Sequence, residues 1–291
     1  MKRLYIAGCG YAGERLARVA LSEGWQVTAQ ARNMEWAEAL GSQGIATEVF
    51  GADDLDEIPS LKSVNGAVLL YSIPPQGGGT IDLRLRAVLQ ALDRDRSVPS
   101  RLVYLSATSV YGDTGGQLVT ESDSTNPTSA MGKRRVDAEQ LIRAYAERYG
   151  IQYVILRVSA IYGKGRLPVM QINQGQPLLK EELAKPSNRI HIDDLVAVCK
   201  AALTQGAGIY NVSDGAPCSM TEYFNCCADA LGKPRQPQVD IEEARASMPP
   251  LLFTYFMESR VVDNTRMRHD LLPALAYPSC REGVAASVES V

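Results

Sequence analysis

The chain has 291 residues, 45% of them apolar and 22% charged, with a formal net charge of −3. That length holds one large domain or two modest ones, and that balance excludes wholesale disorder. The slight acidic excess argues against a nucleic-acid partner, and no apolar run approaches the roughly 20 residues that cross a bilayer.

Leu4 to Ala7 is predicted as the first strand, Gly8 to Gly13 as a glycine turn, and Glu14 to Leu21 as a helix. Ala12, Leu16, Val19 and Ala20 fall on one face of that helix. Gln26 to Ala29 forms the second strand, and 45–50 and 67–71 the third and fourth. A helix over 82–93 leads to a fifth strand at 102–106. Ala138, Leu141, Ile142 and Tyr145 repeat at i, i+3, i+4 and i+7, which predicts a helix over 133–148, and 153–157 is the sixth strand. Strands alternating with helices define an α/β chain whose doubly wound parallel sheet is of Rossmann type. Beyond about residue 160 the alternation loosens. Helices at 192–203 and 220–231 flank a short strand at 208–212, and the rest reads as loops. The expected organisation is therefore a dinucleotide-binding domain over 1–160, to which 190–213 returns. Residues 161–189 and 214–291 form a smaller, irregular substrate-side region.

Six cysteines occur without metal-type spacing, and there are only two histidines, so no metal site is expected. MKRLYIAGCG enters a strand directly and shows no leader, so a cytoplasmic chain with reduced thiols is expected.

Gly8-Cys9-Gly10-Tyr11-Ala12-Gly13 has the spacing G-x-G-x-x-G between a strand and a helix. Gly8 permits the tight turn, Gly10 admits a pyrophosphate to the backbone, and Gly13 lets helix and strand pack closely. The helix N-terminus adds free N–H groups and the positive end of its dipole. An NAD site usually ends the second strand with an acid for the ribose 2′-hydroxyl, but no acid occurs between Glu23 and Glu35. Arg32 stands there instead and suits a 2′-phosphate, favouring NADP(H) over NAD(H); the other reading is a solvated surface arginine. Asp53 is placed either at the adenine edge or as an ordinary surface acid. Asn33, Ser72 and Ser106, each at a predicted strand end, complete the expected cofactor-binding set.

Further motifs follow in order. Leu105-Ser106-Ala107-Thr108-Ser109-Val110-Tyr111-Gly112 comes first, then Asn126-Pro127 before Gly132-Lys133. Leu156-Arg157 precedes Ile161-Tyr162-Gly163-Lys164-Gly165, and Arg189-Ile190-His191-Ile192-Asp193-Asp194 follows. Ile209-Tyr210-Asn211-Val212 and Tyr277-Pro278-Ser279 with Gly283 end the series. In this order the chain resembles, over almost its whole length, the extended short-chain dehydrogenase/reductase superfamily. Within it the resemblance is to the NAD-dependent epimerase/dehydratase family of nucleotide-sugar enzymes. It implies a nucleotide-sugar or related small-molecule substrate and a homodimer built through two helices. It also implies a Ser/Thr after the fifth strand and a Tyr-x-x-x-Lys pair on the next helix.

Here the sequence departs from the family. Ala107, Met131 and Arg135 occupy the Ser/Thr, Tyr and Lys positions. Methionine has no exchangeable proton, and an arginine is a poor copy of the lysine. Thr108, Tyr111, Tyr162 and His191 are the alternative proton-donor candidates; the resemblance implies that the last three more often have a structural or substrate-positioning role. Thr108, Arg166 and Arg189 are expected at the substrate, with Lys164 and Lys180 in the same basic loop region. Two functions remain open: an atypical oxidoreductase or isomerase, and a non-catalytic NADP(H)-binding redox sensor or regulator.

Overall fold

A computed structural model describes residues 1–54 and 58–289. Seven strands form the central sheet: β1 (Arg3–Ala7), β2 (Gln26–Ala31), β3 (Ala46–Val49), β4 (Val68–Tyr71), β5 (Arg101–Ala107), β6 (Gln152–Val158) and β7 (Gly208–Val212). Their spatial order is β7-β6-β5-β4-β1-β2-β3, and every neighbouring pair runs parallel.

Both faces of the sheet are buried, which is why its strands read as nearly continuous apolar runs. Leu4 and Ile6 point to one core and Tyr5 and Ala7 to the other. Along β5, Val103 and Leu105 join the first core while Leu102 and Tyr104 join the second. Helices α1 (Tyr11–Ser22), α2 (Met34–Gly41) and α5 (Ile192–Ala202) cover the first face. Helices α3 (Leu83–Arg94) and α4 (Ala130–Tyr149) cover the second. The predicted doubly wound sheet is thus present. Helix α1 starts three residues earlier than the apolar period indicates, directly inside the glycine turn.

The remaining chain is more regular than predicted. A third core gathers Tyr162, Leu178, Tyr223, Phe224, Phe256 and Val284. Helix α6 (Met220–Ala230) was expected, but Ile241–Ser247, Pro250–Met257, Thr265–Asp270 and α7 (Cys280–Glu289) are also helical. Two-strand ladders replace much of the expected loop: Ala160–Tyr162 pairs with Arg189–His191, and Pro186–Ser187 with Cys218–Ser219. Elements of two to eight residues are too short to display a full hydrophobic period.

Candidate functional site

The strand order reverses between β1 and β4, and an open α/β sheet presents its ligand crevice at such a point. The glycine turn lies there. Gly8 has φ +90°, and a Cβ on it would meet the Ile73 nitrogen at 2.6 Å. Ser72 Oγ donates to the Gly8 carbonyl at 2.7 Å, tying the two strand ends together. A Cβ on Gly13 would meet the Gly8 carbonyl oxygen at 2.9 Å, so only glycine lets α1 pack this closely. Gly10 is different: a Cβ there meets nothing within 4 Å. That open approach leads to the start of α1, which no side chain caps. Backbone N–H groups, the helix dipole and free space are what a pyrophosphate requires, so the turn fits a dinucleotide.

Cys9 and Ala12 contribute main chain to this turn. The Cys9 carbonyl accepts from Trp36 Nε1 at 2.7 Å, and burial pushes its thiol up to about 12, so the side chain is a packing element. Sequence reasoning missed Gln30. Its buried amide accepts from the Gly8 N–H at 3.1 Å and donates to the Phe50 carbonyl at 2.6 Å. The available signal was a glutamine on an otherwise buried strand.

Arg32 is exposed just past β2. Asn33 caps α2, accepting from the Trp36 N–H at 2.9 Å. Asp53 is gripped by Arg84, whose Nη2 donates to both carboxylate oxygens at 2.6 and 2.7 Å. Asp53 thus ties its loop to α3 and is otherwise largely exposed. Tyr11 carries two guanidiniums over its ring, Arg15 at 4.0 Å and Arg166 at 4.2 Å from the centroid. Its hydroxyl donates to the Lys164 carbonyl at 2.8 Å, joining the glycine turn to the 163–166 loop. Burial, offset by these two arginines, raises the Tyr11 pKa.

At the other end of the crevice, β5 runs into a 3-10 turn over Thr108–Tyr111. Helix α4 rests on that turn so closely that a Cβ on Gly132 would meet the Ser109 carbonyl at 2.5 Å. Met131, Arg135 and Glu139 follow at i, i+4 and i+8, one face of α4. Met131 is 40% exposed. Arg135 Nη1 donates to the Leu105 carbonyl at 2.6 Å and to the Tyr104 hydroxyl at 3.0 Å. Glu139 is buried and pairs with buried Arg157 at 2.7 Å.

This network overturns several expectations. Ser106 follows Leu102 and Tyr104 on the α3–α4 face of β5, and its hydroxyl donates to Glu139 at 2.7 Å. It is a core hydrogen-bond donor instead of a cofactor contact. Tyr111 is 3% exposed; its hydroxyl accepts from Arg157 at 2.8 Å and donates to Asn211 at 2.8 Å. Burial first, against the pull of Arg157, raises its pKa, and both of these partners lie in the core. Tyr162 is equally buried and donates to the Ser279 carbonyl at 3.1 Å.

His191 caps α5 through Nδ1, which accepts from the Asp193 N–H at 3.2 Å, and Nε2 contacts Ser287 Oγ at 3.2 Å. Burial lowers its pKa, keeping it a neutral brace. Arg189 is 2% exposed, with Nη1 donating to the Cys218 carbonyl at 2.9 Å and the guanidinium over Tyr223. It therefore anchors the third core instead of meeting a substrate. Lys180 pairs with Asp240 at 2.9 Å. Of the expected reacting and substrate residues, Thr108 is half-buried, and Arg166 is exposed with its guanidinium over the Tyr11 ring. Glu139 and Arg15 were not singled out from sequence, and Arg157 only as part of a motif, because their partners lie far along the chain or in adjacent turns. Among the described residues no cluster of metal-binding side chains occurs, and no helix is long and apolar enough to cross a membrane.

A Rossmann-type parallel sheet with a glycine turn at its switch point defines the class. Residues 4–213 match the family described as NAD dependent epimerase/dehydratase, and the chain belongs to that family. It is 25% identical over 288 residues to protein YeeZ of Escherichia coli, covering 96% of this chain and 97% of that one. A solved structure from Silicibacter pomeroyi, described as a functionally unknown conserved protein, superposes with TM-score 0.84 at 30% identity. It covers 100% of this chain and 99% of that chain. UDP-glucose 4-epimerase from Thermotoga maritima shares the fold at TM-score 0.79 and 15% identity, covering 99% of this chain and 97% of that chain.

Proposed function

We propose that this protein binds NADP(H) and acts as an oxidoreductase or isomerase on a nucleotide-sugar or a related small carbonyl or alcohol. The observation that carries the cofactor choice is Arg32: exposed past β2, in a stretch with no carboxylate, while its neighbour Asn33 is committed to capping α2. When bound, the dinucleotide supplies or accepts hydride at its nicotinamide ring. The glycine turn and the α1 N-terminus hold the pyrophosphate, and Arg32 pairs with the 2′-phosphate. Arg166 and Arg15, both on Tyr11, supply positive charge to a substrate diphosphate. Thr108 Oγ1 hydrogen-bonds the reacting substrate oxygen and relays a proton from water, since Met131 offers none. Arg135 keeps the end of β5 in place through the Leu105 carbonyl.

The commitment of Tyr111, Tyr162 and His191 to packing supports a second reading, a dinucleotide binder without turnover that reports redox state. Titration of NADPH and NADH, followed by NADP(H)-linked turnover across nucleotide-sugars and simple carbonyls, decides between them. Conversion that falls at least tenfold in Thr108→Ala supports the enzyme. Tight NADPH binding with no turnover supports the sensor. NADH bound as tightly as NADPH overturns the cofactor assignment.

A further inference from the structure

The mechanism leaves one cluster of nucleophilic side chains unused. Cys218 and Cys280 lie with their sulfurs 3.3 Å apart, although they are 62 positions apart in sequence. Both are buried, each 6% exposed. Cys226, on α6, interacts with the same Cys280 thiol and is only partly buried. Arg189 Nη1 stands 3.1 Å from Cys218 Sγ. Cys280 itself opens α7; against the pull of Cys218, the Cys226 contact and burial push its thiol up to about 11. Neighbouring Cys227 is fully buried against Tyr223, outside this exchange.

We propose that Cys226, Cys280 and Cys218 form a peroxide-responsive relay that ends in a Cys218–Cys280 disulfide. Cys226 is the entry point because it alone of the three is accessible, and its contact with Cys280 holds its thiol below the ordinary range. Its thiolate attacks hydrogen peroxide: an S–O bond forms, the O–O bond breaks, and the departing hydroxide is protonated to water. Cys280 then attacks the Cys226 sulfur; an S–S bond forms and the sulfenic oxygen leaves as water. Cys218 attacks Cys280 in turn and releases the Cys226 thiolate. Two thiols and one peroxide thus give one disulfide and two waters. The two sulfurs need to close by little more than 1 Å to reach bonding distance.

The bond would pin α7 to the Cys218–Ser219 strand. That helix also carries Ser287, which contacts His191, and it follows Ser279, whose carbonyl accepts from Tyr162. Oxidation therefore acts on the elements that hold His191 and Tyr162.

The test treats the full-length protein with hydrogen peroxide, blocks free thiols, and maps the linked peptides after trypsin and cleavage at Glu222, which separates Cys218 from Cys226. Expected is a loss of about 2 Da, the two thiol hydrogens of one disulfide, and a Cys218–Cys280 peptide pair. In Cys226→Ser the same bond should form at least tenfold more slowly. In wild type, dimedone added during the reaction should label Cys226. Three free thiols after peroxide, or Cys226 advancing to sulfinic acid with no disulfide, would overturn the relay. A Cys226→Ser variant that oxidises at the wild-type rate would overturn Cys226 as the entry point. The wild-type mapping and dimedone labelling stand even if a variant fails to fold.

Discussion

The two ends of the crevice are made of different material. At the β1–α1 end, ligand-facing groups are main chain and exposed charge: the glycine turn, the uncapped start of α1, Arg32 and Arg166. At the β5–α4 end, buried side chains pair with each other, Glu139 with Arg157 and Tyr111 with Asn211. The first end is open to a ligand and contributes little to folding. The second holds β5, β6, β7 and α4 together, and so its polar groups are spent on structure. On α4, Met131 stays exposed while Arg135 and Glu139 on the same face bind β5 and β6.

The sharpest way to break this contrast is Glu139→Ala. It strands Arg157 as an uncompensated charge in the core and removes the Ser106 acceptor. Breaking a buried pair in this way costs about 3–5 kcal/mol. Chemical denaturation should show a loss of that order, with a thermal midpoint lowered by roughly 10 °C. A loss under about 1 kcal/mol, the range of an exposed pair, would mean that the β5–α4 end is not structural.

The opposite outcome is expected at the first end. In Gly10→Asp the new Cβ meets no atom within 4 Å, and aspartate is a good N-cap for α1. Stability should hold or rise, while a carboxylate where the pyrophosphate binds should weaken dinucleotide affinity roughly 100-fold, about 2.7 kcal/mol. Calorimetric titration and a melting curve on one sample read both. Unchanged NADPH affinity would remove the glycine turn as the phosphate site.

Arg32→Ala sharpens the same end with a smaller effect. NADPH affinity should fall about tenfold, near 1.4 kcal/mol, with NADH affinity unchanged. Equal losses for both cofactors would make Arg32 a general surface charge.

How much of this was legible in the sequence follows the same division. Glycine constraints are local, so the spacing from Gly8 to Gly13 was enough to place the turn, and strand–helix alternation was enough to place the sheet. The other end was less legible, because Tyr111, Tyr162, His191 and Arg189 could be judged from sequence by motif position alone. Burial decided their roles, through partners such as Asn211, Ser279, Ser287 and Cys218 that lie tens of residues away. The short helices beyond residue 240 escaped for a different reason: one or two turns do not span a hydrophobic period.

The last prediction probes the buried end by pH. Asp214, two residues past β7, is 5% exposed, and its Oδ1 accepts from the Ala216 N–H at 3.1 Å. Burial pushes its pKa up to about 7, against about 3.9 in an unfolded chain. The folded state therefore binds this proton more tightly than the unfolded state does. Its contribution to stability is complete below about pH 4 and is lost as pH rises through 7. In Asp214→Asn the substituted amide stays neutral at every pH and keeps an acceptor for the Ala216 N–H. The wild type should lose stability relative to the variant between about pH 4 and pH 8, by up to about 4 kcal/mol for a shift from about 3.9 to about 7. Parallel melting curves at the two pH values check this. Identical pH profiles would show that Asp214 is ionised and solvated, and that the buried end reaches no further than β7.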